Sequence, residues 1–232
     1  STTMKLEDFR IVYDEYENFL RRCGKIDFDD MLVFTYELLS ERPDILKMWQ
    51  NKFRYILIDE FQDINMIQYD IVKLLAGERQ NVFSVGDDDQ SVYGFRGAAP
   101  AIMKKFPEDF HGTVIEYLNV NYRCSYDIVE CSKRIIQNNR DRYEKQLRSA
   151  FAAGQSDRVH IVKTDSMTEQ NKKIIDRITE LNRAGIPYRE MAIIFRTNTE
   201  PRALASKLME NGIPFLMKDN IPNIFTHFLA EN

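Results

Sequence analysis

A chain of 232 residues, 44% of them hydrophobic and 12% aromatic, has apolar material for one large or two small cores. Its 29% charged residues and formal net charge of -4 argue against a simple basic clamp for nucleic acid, although a groove of aromatics with a few placed cations needs no basic average. Cys23, Cys124 and Cys131 have no CxxC spacing and read as reduced thiols; no apolar run nears the roughly 18 residues of a membrane helix, and no secretory signal opens the chain, so the expected location is cytoplasmic.

In chain order, Leu6, Phe9, Val12, Tyr13, Tyr16, Phe19 and Leu20 recur at helical spacing, and Gly24 supplies a stop. A second helix starts at Asp27 with acids in its first turn, and Pro43 separates it from a third. From residue 55 onward, short apolar runs alternate with helical patterns. Strands are expected at 55–58, 82–85 and 114–118, with helices at 66–75 and 101–106. Continuous apolar strands spaced by helices mark parallel βαβ units buried on both faces, so the fold class is α/β with a parallel sheet. Residues 140–157 are polar and read as a surface loop. The alternation then restarts with strand 159–163, helix 168–182, strand 191–196, helix 202–209 and strand 214–217, and a domain boundary is expected near residues 118–121.

Three strand ends carry the chemistry. YILIDEFQD runs from an apolar strand into Asp59, Glu60 and Asp63. A parallel strand ends at the crevice where α/β sheets bind ligands, and adjacent carboxylates there suit holding Mg²⁺ and orienting an attacking water. The ordinary alternative is a loop whose acids cap the next helix. VFSVGDDDQSVYGFRGA repeats the arrangement, bringing Asp87, Asp88, Asp89, Gln90, Tyr93, Phe95 and Arg96 into a short span. A solvated turn explains the acids but not the Gln and Arg that accompany them. In VIEYLNVNYRCS, Tyr122 and Arg123 follow the third run; a ring can stack on a base and a guanidinium can grip phosphate oxygens.

Together and in this order, the boxes resemble the ATPase motor of superfamily I DNA helicases of the UvrD/Rep type. IDEFQD is similar to that family's Walker B box, GDDDQSVYGFRGA to its third motif and LNVNYRCS to its fourth. FRTNTEPRALASKLMENGIPF resembles the opening of the second motor domain, and KIDFDDML a motif just before the Walker B strand. The resemblance implies two partial RecA-like subdomains preceded by helices: residues 1–24 leading in, 25–120 from the first motor domain and 121–232 from the second. It makes Asp59 the Mg²⁺ ligand, Glu60 the base that activates water and Gln90 the γ-phosphate sensor. Arg96 bridges the phosphate site to the Walker B acid, Tyr122 stacks on adenine, and Arg123 is the arginine finger. Tyr93, Phe95, Arg196 and Asn198 contact single-stranded DNA, Phe95 at a position where the family often carries Trp. ATP and Mg²⁺ are the implied cofactors, and the implied activity is 3′ to 5′ translocation in DNA repair, replication or recombination.

The sequence contains no phosphate-binding loop GxxxxGK[ST]. Gly24-Lys25 lacks both the first glycine, replaced by Phe19, and the hydroxyl, replaced by Ile26. The expectation is therefore an internal piece of a larger helicase, inactive by itself. A metal-dependent nuclease built on Asp59, Glu60, Asp63, Asp87, Asp88 and Asp89 is an alternative, since two-metal sites also need clustered carboxylates; a non-catalytic binding module is another.

Overall fold

A computed structural model describes residues 5–91, 101–139, 142–154, 158–197 and 200–217. They fall into two compact units, residues 1–158 and 159–232. The first opens with helix α1 (Leu6–Cys23), which stops where Gly24 turns left-handed (φ 62°) and Lys25 N–H reaches the Leu20 carbonyl at 3.0 Å. Helix α2 (Phe28–Glu41) begins in a capping box: the Asp27 carboxylate accepts from Asp30 N–H at 2.9 Å, and the Asp30 carboxylate accepts from Asp27 N–H at 3.1 Å. Helix α3 (Pro43–Lys52) starts on its proline, which needs no backbone donor in the first turn.

Strand β1 (Ile56–Ile58) pairs in parallel with β2 (Val82–Ser84), and helix α4 (Met66–Ala76) forms the crossover, capped by Asn65 and Gln68. Parallel strands require such a crossover, and this one is the expected βαβ unit. Helix α5 (Ala101–Asp109) adds Ile102 and Phe106 to a core of Phe61, Tyr69, Ala76 and Phe110, into which Ile56, Ile58 and Val82 point. Phe61 meets Phe106 edge-on with ring centroids 5.3 Å apart, a favoured aromatic geometry. Strand alternation sends Leu57 (73% exposed) and Phe83 (62% exposed) to the opposite face. Burial on both faces, expected from the continuous apolar runs, does not hold among the described residues.

Two further expectations are corrected in this unit. Residues 114–118 form no strand. The pairing lies just beyond, where β3 (Val120–Asn121) runs parallel to β4 (Arg148–Ser149), with helix α6 (Tyr126–Ile136) between them. The segment 140–157 is accordingly more than a surface loop: its described residues supply a strand and half-buried side chains that bond to other parts of the unit.

The second unit contains helix α7 (Met167–Arg183), capped by Ser166, and α8 (Pro201–Glu210). They enclose Ile175, Ile178, Leu204, Leu208 and Ile213. Its expected strands at 159–163, 191–196 and 214–217 form no ladder among the described residues. A strand exists only where a neighbour accepts and donates its backbone hydrogen bonds, and apolar composition alone does not supply that neighbour. The molecule is α/β, with helices on small parallel sheets.

Candidate functional site

Strands β1 and β2 end side by side; β1 runs directly into Asp59 and Glu60, and β2 reaches Asp87 after Val85 and Gly86. Phe61 N–H donates to the Val85 carbonyl and Val85 N–H to the Ile58 carbonyl, each at 2.9 Å, so the two chain ends remain locked past the strands. Between them Glu60 adopts the left-handed conformation (φ 51°, ψ 42°), which is strained for a residue with a side chain. Such strain persists only where the surroundings impose it. Here Asp59 Oδ1 accepts from Glu60 N–H at 2.9 Å, and Asp63 N–H closes the turn on the Glu60 carbonyl at 2.9 Å.

The side chain that joins the two strand ends is Gln62, 1% exposed. Its Nε2 donates to Glu60 Oε2 at 2.7 Å, and its Oε1 accepts from Asp87 N–H at 2.9 Å. A carboxylate only accepts and an amide N–H only donates, so the amide can point only one way. Asp87 in turn accepts from Gln90 Nε2 at Oδ2, 2.7 Å away. Glu60 and Gln90 are thus linked by a continuous chain of hydrogen bonds. Asp59 and Glu60 are exposed, and Asp59 Oδ2 accepts no bond among the described residues, which fits an oxygen left open to a cation.

Gly86 makes the junction possible, because a Cβ there lies 2.8 Å from Gln62 Oε1 and 3.2 Å from both Gln62 N and Phe61 Cβ. Gly86→Ala is expected to destabilise the fold by about 1–3 kcal/mol through overpacking, read as a lower denaturation midpoint. An unchanged midpoint means that the junction yields.

Asp87, Asp88 and Asp89 bring carboxylate oxygens within 4.8 Å of one another, a geometry open to a cation. The chain supplies its own. Lys145 Nζ bonds Asp87 Oδ1 and Asp88 Oδ1 and lies 3.3 Å from Asp89 Oδ2. Arg142 grips Asp89 with both arms, Nε to Oδ1 at 2.7 Å and the terminal nitrogen to Oδ2 at 2.5 Å. Tyr143 N–H donates to Asp88 Oδ2 at 2.6 Å. Burial alone pushes the Asp87 carboxyl up, but hydrogen bonds from Lys145 and Gln90 and the Lys145 charge outweigh it and hold it below the usual range. The Arg142 hydrogen bond, with help from Lys145, outweighs burial and does the same for Asp89. For Lys145, burial works downward, and its bonds to Asp87 and Asp88 prevail and raise its pKa. With these three carboxylates already matched, the nuclease alternative loses half of its ligand set.

The other expected site residues are placed unequally. Tyr122 (76% exposed) and Arg123 lie on the turn between β3 and α6, where Asn121 Oδ1 accepts from the N–H groups of Arg123 (2.9 Å) and Cys124 (2.7 Å). Neither side chain joins the Glu60 to Gln90 network among the described residues. Arg196 belongs to the second unit, where its N–H donates to Glu200 Oε2 at 3.3 Å. Tyr93, Phe95, Arg96 and Asn198 lie outside the described residues. Sequence reasoning missed Gln62, Arg142 and Lys145. Gln62 stood inside a quoted box as a polar residue beside Phe61, whereas nothing local marked Arg142 and Lys145, which reach their partners across 53 to 58 residues.

The description of the UvrD/REP helicase N-terminal domain matches residues 1–111, and that of the UvrD-like helicase C-terminal domain matches 116–225. The chain belongs to the UvrD/Rep helicase family. Within that family it is 36% identical over 220 residues to the putative ATP-dependent DNA helicase YjcD of Bacillus subtilis, covering 95% of this chain and 29% of the relative. It is 37% identical over 206 residues to the ATP-dependent DNA helicase PcrA of Staphylococcus epidermidis, and 36% identical over the same length to PcrA of Staphylococcus aureus. Both of those matches cover 89% of this chain and 28% of the relative, so the chain spans less than a third of the length of these curated UvrD/Rep relatives.

Proposed function

We propose that this chain is the part of an ATP-dependent DNA helicase that carries the water-activating and phosphate-sensing groups of an ATP site. The observation behind this reading is the hydrogen-bonded line from Glu60 through Gln62 and Asp87 to Gln90, which joins the ends of two parallel strands. Asp59, exposed beside it, has the free oxygen and position to hold Mg²⁺. When bound, that ion neutralises charge on the nucleotide's β- and γ-phosphates. Glu60 orients and deprotonates the attacking water, and Gln90 reads the γ-phosphate, with Arg96 bridging it to the acids. Tyr122 stacks on adenine, and Arg123 meets the γ-phosphate. Tyr93, Phe95, Arg196 and Asn198 hold single-stranded DNA, which the motor tracks 3′ to 5′ in repair, replication or recombination in the cytoplasm. The motor is two RecA-like domains divided near residue 120, and the phosphate-gripping loop belongs to a longer protein.

In the full-length protein, Glu60→Gln should lower DNA-stimulated ATP turnover by about 10² to 10⁴-fold, the worth of a general base. Retained turnover removes Glu60 from the chemistry. The 232-residue chain alone should hydrolyse no ATP; hydrolysis by it that Glu60→Gln abolishes contradicts the need for an outside phosphate loop. Cleavage of labelled DNA with Mg²⁺ and no ATP would instead favour the nuclease.

A further inference from the structure

Gln62 has no exposed surface to account for its polarity. It is 1% exposed in a region built around Phe61 and Tyr69, and its carboxamide is committed at both ends. A buried amide must meet its bonding needs, and an apolar side chain of similar length satisfies packing alone. The two bonds join the reacting carboxylate to the loop of the sensor. Among the described residues, no other group bonds to the Glu60 side chain, which leaves an exposed, left-handed backbone position and would otherwise swing freely. On the other side the amide holds Asp87 N–H, and the Asp87 carboxylate holds Gln90. The Gln62 carbonyl also accepts from Ser91 Oγ at 3.3 Å, so both ends of the Asp88–Gln90 turn rest on this one residue.

We infer that Gln62 is a positioning residue for hydrolysis, aiming the Glu60 carboxylate and coupling it to Gln90 through Asp87. The inference rests on the reading of the site as an ATP-hydrolysing centre. A misplaced catalytic group can cost about 10²-fold in rate without weakening substrate binding. Gln62→Met keeps the length and volume and removes both bonds. Gln62→Glu keeps an acceptor for Asp87 N–H but replaces the donor facing Glu60 with a second carboxylate.

The test is steady-state ATP hydrolysis by the full-length protein, comparing wild type, Glu60→Gln, both Gln62 variants and the double variant Glu60→Gln with Gln62→Met. Both Gln62 variants are expected to lower kcat by about 10 to 100-fold with KM for ATP within about twofold. The double variant should lose clearly less than the product of the two single losses, because the part of the Gln62 effect that runs through the Glu60 carboxylate has nothing left to aim. Unchanged kcat in both Gln62 variants, or losses that multiply in the double variant, overturn the inference. An inert wild type, or a Glu60→Gln protein as fast as wild type, overturns the underlying reading instead. Should the Gln62 variants not fold, the wild-type chain decides by amide hydrogen exchange. Asp87 N–H must exchange at least about tenfold slower than a free amide, and free exchange overturns the inference.

Discussion

Arg123→Ala in the full-length protein is expected to slow ATP turnover by about 10³ to 10⁵-fold, the contribution of an arginine finger. Its backbone is pinned, and its side chain is left open among the described residues. Asn121 Oδ1 pins Arg123 N–H at 2.9 Å, and Ser149 Oγ on β4 donates to the Cys124 carbonyl at 2.9 Å, so the turn is anchored to a strand pair. The guanidinium makes no ion pair among the described residues and is exposed, which leaves its donors for an outside anion. Removing an exposed, unpaired side chain changes stability by only about 0.5 kcal/mol, so a lost rate is not lost fold. Arg123→Lys retains the charge but not the two-pronged geometry and should recover only part of the activity. Turnover in Arg123→Ala within tenfold of wild type takes the residue out of the site.

Lys145→Met is expected to destabilise the first unit by about 1–3 kcal/mol, between the cost of losing an exposed ion pair and that of breaking a buried one. Lys145 is the cation shared by Asp87, Asp88 and Asp89, and the Asp88 side chain is only 5% exposed. Without Lys145, Arg142 faces the three carboxylates alone, and their mutual repulsion is no longer offset. Lys145→Arg, which keeps the charge, should lose much less. Urea denaturation measures both, and a Lys145→Met midpoint equal to wild type would show that the cluster is neutralised some other way.

The same contacts set a pH dependence. The Asp87 and Asp89 carboxyls are held below their ordinary value in the folded chain, so the unfolded chain binds more protons in the acid range. Their contribution is present above about pH 4, the unfolded value, and is lost as pH falls through the lowered folded values. Lys145, raised in the folded state, contributes below its unfolded value and loses that contribution as pH rises into the far alkaline range. Lys145→Met should therefore flatten the acid limb of a stability-against-pH curve. An acid limb as steep as that of wild type separates Lys145 from the two carboxylates.

What was legible in the sequence is what neighbouring residues decide among themselves. Helices α1 to α5, α7 and α8 follow from apolar spacing, helped at the first two by the Gly24 stop and the Asp27 start, each satisfied within three or four residues; helix α6 was not read from the sequence. The Asp59 and Glu60 pair and the Gln90 box were visible for the same reason: an apolar run ending in acids describes one strand and its own turn. The second unit shows the limit of that reasoning. Its apolar runs at 159–163, 191–196 and 214–217 signal segments suited to a sheet, yet Ile161, Ile194 and Leu216 stand exposed, because pairing depends on a neighbour that no local pattern specifies.

Only the tertiary structure decided how the site is joined. The left-handed Glu60 cannot be read from its letter, since a non-glycine residue takes that conformation only when a surrounding fold imposes it. Gln62 became the link between two strand ends only once β1 and β2 were paired in register, with Gly86 leaving room for its amide. Arg142 and Lys145 looked like solvated charges in a polar stretch. Long-range folding turned them into the cations of an acidic turn more than 50 residues away, because a charge has no periodicity that announces its partner. The sequence by itself determined which chemistry was at hand and which family the motifs resembled; the fold decided which groups meet, since contact between distant residues is a property of packing and not of spacing.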